Sequence, residues 1–171
     1  MLDNFYEANI TLFNYNDKID YVKSLVRKSK EYKMWLAYIY EQFEYIKSPE
    51  LQLLDLKDTG VTTEVHHIIF MESIVSMVCM KYLLDHPDTS LTAFQLADMV
   101  IQLHFEDKIP CVVLPQNIHE MYHDGNYKLT INTDGIHLGK ADEFVNEYRE
   151  YMTDDEINLL QSLGVDTHGQ E

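Results

Sequence analysis

Apolar residues recur along this chain at two periods, and the alternation between them lays out its elements. From about Asp17 to Phe43, Ile19, Val22, Leu25 and Val26, then Met34, Leu36, Ile39 and Tyr40, fall at helical spacing and predict one long helix. Leu51 to Thr63 reads as a connection turned at Lys57-Asp58-Thr59-Gly60. The β-branched run Val61 to Ile69 predicts a strand. Met71 to Asp85 predicts a helix with Ile74, Val75, Val78, Leu83 and Leu84 inward and Met71, Met77 and Met80 filling gaps, stopped by His86-Pro87-Asp88. A further helix runs from Leu91 or Thr92 to His104, with Ser90 as N-cap and Phe94, Leu96, Ala97, Val100 and Ile101 inward.

Ile109 to Leu114 predicts a buried strand, after which Pro115 opens a short helix, Gln116 to His123, closed by Asp124-Gly125. Tyr127 to Ile131 reads as a strand turned at Asn132–Gly135, with Ile136 to Leu138 as its hairpin partner. Lys140 to Met152 is helical, Thr153-Asp154-Asp155-Glu156 opens a last helix as a capping box, and the tail from Asp166 is expected to fray. The pattern defines an α+β, mainly helical protein. Its expected divisions are an N-terminal helical region (1–50), a core with C-terminal helices (51–166) and a flexible tail (167–171).

Composition narrows the function classes. The 171 residues include 13 Lys+Arg and 29 Asp+Glu, a formal net charge of −16. No apolar run approaches the roughly 18–20 residues that cross a bilayer, and the N-terminus lacks the build of a signal peptide, so no membrane role and a cytoplasmic location are expected. Cys79 and Cys111 read as core thiols rather than a disulfide framework. An acidic chain repels nucleic acid on average, so any nucleic-acid function must rest on a local feature. Residues 1–50 carry 7 basic and 8 acidic residues, against 6 and 21 in residues 51–171. Lys23, Arg27, Lys28, Lys30 and Lys33 fall close together, as a solvated helix face or as a cationic patch for phosphate or an acidic partner. Tyr32, Trp35, Tyr38, Tyr40 and Tyr45 cluster beside them, as packing or as a stacking or interface surface.

Eight histidines are present, four of them in two groups. His119 and His123 are i,i+4 on the short helix and emerge on one face, the spacing two ligands of one metal ion require. His66 and His67 are adjacent on a strand, where neighbouring side chains diverge, so only one could ligate the same ion. Equally, one of the two could be buried and the other exposed with no metal involved.

Glu64-Val65-His66-His67-Ile68, followed by Val112 to Pro115 and then Gln116 to Gly125 with its His-x3-His pair, resembles the ββα-metal core of the HNH endonuclease superfamily. The resemblance spans roughly residues 61–127, is nearest to phage-encoded members, and implies a helical insertion between the two halves. It implies one divalent ion (Zn, Mg, Mn or Ni) held by His66, His119 and His123, with His67 as the general base that activates water. The basic stretch would then guide a phosphate backbone. Pro110 stands where the family has a central Asn that steadies the loop of the base, so Glu64, His104 or Asp107 would supply support instead. His104 and His137 otherwise read as surface or satisfied polar residues.

Two functions fit this sequence. One is a metal-dependent DNA endonuclease, phage-encoded and acting in a host cytoplasm. The other is a catalytically degenerate acidic phage protein that binds and inhibits a basic host or defence protein, as a mimic of DNA.

Overall fold

The computed structural model describes residues 9–42, 45–46, 54–55, 62–116 and 136–167. In it, Ser29 divides the expected first helix in two. After a 3-10 turn (Asn16–Lys18), α1 spans Ile19–Lys28 and α2 spans Lys30–Gln42. Ser29 between them is extended (ψ 151°). Its hydroxyl donates to the Val26 carbonyl at 2.8 Å and accepts from the Tyr32 amide at 3.0 Å. One side chain thus closes one helix and caps the next, a contribution of about 1 kcal/mol. The break resets the helical phase. Val22 and Val26 are buried as the periodicity predicts, but on α2 the inward residues are Tyr32, Trp35 and Ile39, while Met34 is 54% exposed.

The helix α3 (Met71–Asp85) is apolar around most of its circumference and lies at the centre, packed against α1, α4 (Ala93–Phe105), α5 (Ala141–Tyr148) and the 3-10 turn Arg149–Tyr151. Ile74, Val75, Met77, Val78 and Cys79 are buried, whereas Leu84 at its last turn is exposed. The cap of α4 is Thr92 and not Ser90. The Thr92 hydroxyl accepts from the Gln95 amide and the Gln95 side chain accepts from the Thr92 amide, a complete capping box. That start turns Phe94 outward, at 57% exposure, and sends Leu96, Ala97, Val100 and His104 inward.

Two short strands, β1 (Tyr45–Ile46) and β2 (Leu54–Asp55), form an antiparallel pair inside the stretch that includes the expected connection. The main sheet has the order β3-β4-β5, all antiparallel: β3 Thr63–His67, β4 Cys111–Pro115 and β5 Ile136–His137. Register sets His66 opposite Val112 and His67 opposite Cys111, which in turn faces His137. Pro115 ends β4, opposite Thr63, and Gln116 directly after it is helical, as expected. The helix expected at 116–123 beyond its first residue, its Asp124-Gly125 stop and the strand expected at 127–131 lie outside the described residues, and Ile136–His137 pairs with β4.

The helix expected over Lys140–Met152 is α5 followed by the 3-10 turn. Last comes α6 (Asp154–Ser162), opened by the Thr153–Glu156 capping box as expected. The chain does not fray at Asp166: Thr167 is buried, and its hydroxyl accepts from the Gln161 amide at 2.5 Å. The protein is thus α+β and mainly helical. Both cysteines are buried thiols, pushed up by desolvation to about 11 for Cys79 and about 12 for Cys111.

Candidate functional site

Strand β3 packs against α2, and an open cleft of about 420 Å³ forms beside them, with Arg27 of α1 on its edge. Arg27 from α1, Tyr32, Leu36 and Tyr40 from α2, Glu64 to His67 from β3, and Phe70 and Met71 line it. The Tyr40 hydroxyl donates to the Thr63 carbonyl at 3.1 Å, tying α2 to the start of the strand.

His66 and His67 take the opposite directions that a strand imposes. The His66 ring stands edge-on to Phe70, centroids 6.1 Å apart. The His67 ring lies nearly parallel to Trp35 (5.6 Å) and Tyr32 (6.2 Å) and perpendicular to His104 (5.3 Å). Its Nε2 is 3.1 Å from His104 Nε2, and His104 Nδ1 is 2.7 Å from the Val100 carbonyl. His104 is 1% exposed, and its burial, partly opposed by the Val100 carbonyl, pushes its pKa down to about 4, so it is neutral at neutral pH. Directly after His67, the Ile68 amide donates to the Pro110 carbonyl at 3.0 Å. Pro110 has no side-chain hydrogen bond to give, but its backbone holds the residue that follows His67.

The other sequence-predicted residues are distributed as follows. Arg27 and Glu64 reach the cleft with both histidines. Lys23 does not act as an open cation. It pairs with Asp20 at 2.8 Å and Glu72 at 3.1 Å, so the expected basic patch loses a member to the fold. Lys28, Lys30 and Lys33 are exposed and do not line the cleft. Asp107 turns to His137, whose Nε2–H donates to Asp107 Oδ1 at 2.5 Å, and not to the His67–His104 pair. His119 and His123 lie outside the described residues, so His66 alone of the three expected ligands can be located. Among the described residues no group of three or more His, Cys, Asp or Glu is gathered as a metal site. Sequence reasoning missed Tyr32 and Trp35 as the walls of His67. Their i,i+3 spacing directly after a capping serine was the available signal.

An α+β, mainly helical chain with a two-histidine cleft beside its sheet is thereby defined. The model of one family, described as Bacteriophage G278-like virion protein, matches residues 3–171, and the chain belongs to that family. No curated protein and no solved structure matches it. Among the described residues, no helix is long and apolar enough to cross a membrane.

Proposed function

We propose that this phage protein is a metal-dependent DNA endonuclease of the HNH type, carried with the virion as its family description suggests. The observation that carries the reading is that His66, His67 and Arg27 all border one open cleft at the end of an antiparallel strand pair. His67 takes the proton of a water that attacks phosphorus, and Arg27 holds a non-bridging phosphate oxygen. Glu64 lies on the His66 side of the strand and steers the water or the ligand ring. A divalent ion held by His66, His119 and His123 would supply Lewis-acid polarisation of the scissile phosphate and charge for the leaving oxygen. Three neutral imidazoles suit zinc or nickel better than magnesium or manganese. With a net charge of −16, DNA engages only at the cleft, and binding is weak.

The test is the metal content of tag-free, full-length protein purified without chelator, followed by incubation with supercoiled DNA and added Mg²⁺ or Mn²⁺. About one transition metal per chain, lost in His123→Ala, with nicking that His67→Ala abolishes while the metal stays, is the expected result. Absence of bound metal together with no thermal stabilisation by Zn²⁺, Ni²⁺ or Mn²⁺ would sink it.

One observation favours a second reading. The exposed surface of α5, α6 and the turn between them carries Asp142, Glu143, Glu147, Glu150, Asp154 and Asp155, while Lys23 is neutralised within the fold. Such a face fits a basic protein partner, a host or defence protein met as the DNA-mimicking alternative requires. Binding of that partner would weaken with salt and with charge reversal on this face, and would ignore His67→Ala.

A further inference from the structure

His104 is the buried titratable group that the reaction above leaves without a task. It sits on the last turn of α4, 37 residues from His67 in sequence, with its ring at the back of the cleft wall. A carbonyl only accepts hydrogen bonds, so the 2.7 Å contact with the Val100 carbonyl requires the proton of His104 on Nδ1. In the neutral ring Nε2 then carries the lone pair. The facing atom, His67 Nε2 at 3.1 Å, must be the donor. In neutral His67 this leaves Nδ1 as the basic nitrogen. The chain of roles runs from a helix carbonyl, through one imidazole, to the next, and each step has one solution.

We propose that His104 is a positioning residue: it reads the Val100 carbonyl and imposes on His67 the Nε2–H tautomer, which makes Nδ1 the proton acceptor of the cleft. The proposal rests on the nuclease reading for its consequence, but the tautomers themselves do not depend on it. Burial keeps His104 neutral, as the relay requires. Tyr32 and Trp35 hold both rings in place. Trp35 stacks on His67 and meets His104 edge-on at 4.6 Å, and Tyr32 meets His104 edge-on at 5.2 Å. An acceptor at position 104 is the chemical requirement, and the imidazole is one way to supply it.

The experiment has two arms. Long-range ¹H–¹⁵N spectra of full-length, ¹⁵N-histidine-labelled protein at pH 7.5 should show His104 as the Nδ1–H tautomer and His67 as the Nε2–H tautomer. A His104 protonated on Nε2 overturns the proposal whether or not the protein cleaves DNA. In the second arm, His104→Phe keeps the ring volume and removes the acceptor, while His104→Gln offers a carbonyl oxygen in place of Nε2. With metal-loaded protein, His104→Phe should lower kcat for nicking by about 10–100-fold at unchanged metal content, and His104→Gln should recover most of it. Full activity in His104→Phe overturns the positioning role. Absence of cleavage in the wild type, with the two tautomers as stated, overturns the nuclease reading and upholds the imposed tautomer. If His104→Phe fails to fold, the wild-type spectra and His104→Gln still decide the matter.

Discussion

Two histidine-containing pairs flank Cys111 across the sheet, and they are built on opposite principles. On one side His67 meets His104, both nearly inaccessible, in a shell of Tyr32 and Trp35. On the other, His137 meets the carboxylate of Asp107, both partly exposed. The first pair is ordered by packing and by a directional chain of hydrogen bonds that ends on a backbone carbonyl. The second is an ion pair whenever His137 is protonated, and its partner is held by the backbone. Asp107 is left-handed (φ 60°), its carbonyl accepts from the Lys140 amide at 2.6 Å, and Gly139 (φ 52°) approaches it closely. Burial without charge specifies a tautomer, and charge at the surface specifies only a contact.

The comparison breaks most sharply at catalysis. His67→Ala should lower nicking by about 10²–10⁴-fold, the usual worth of a general base, while His137→Ala leaves the rate within a few-fold in the same plasmid assay. For stability, Trp35→Ala opens the shell around the buried pair and should cost about 3–5 kcal/mol in urea unfolding. Gly139→Ala attacks the other pair through the backbone. A Cβ there would lie 2.2 Å from the Asp107 carbonyl oxygen, and the expected loss is about 2–3 kcal/mol by the same measurement.

The pairs also differ in acid. Burial pushes His104 down to about 4 in the folded state, whereas an unfolded histidine takes up its proton near 6.5. Between those values the unfolded chain binds more protons, so the stability present above about 6.5 is lost as pH falls toward 4. The move from pH 7 to pH 5 should remove about 2 kcal/mol, and His104→Gln should remove that dependence. The smallest effect belongs to Asp107→Asn. An asparagine keeps the left-handed backbone and a hydrogen bond to His137, and the loss of a partly exposed charge should cost about 0–1 kcal/mol.

Local patterns account for much of the fold. The all-round apolar face of α3, the Thr153–Glu156 capping box of α6 and the alternation of β3 are short-range signals, and each is seen where its residues lie. Two of the errors lie at helix starts: Ser29 breaks a helix expected to run unbroken, and Thr92 caps α4 where Ser90 was expected. Met34 and Phe94 were thereby expected inside and stand outside. Leu84 lies at the end of α3 and is exposed there.

The candidate site divides along the same line. Sequence by itself determined that two adjacent histidines would lie on a strand and face opposite ways, because a pleated backbone allows nothing else. It also determined that two cysteines would be buried thiols, and that five of the thirteen basic residues would fall between positions 23 and 33. Only the tertiary structure decided which of those cations stays open, taking Lys23 into ion pairs and leaving Arg27 at the cleft. Only it brought His104 across 37 residues to His67 and sent Asp107 to His137 instead. The physical reason is that hydrogen bonds between rings have a reach of about 3 Å and fixed donor and acceptor roles. Partners are therefore selected by where packing sets the backbones, which no local spacing encodes.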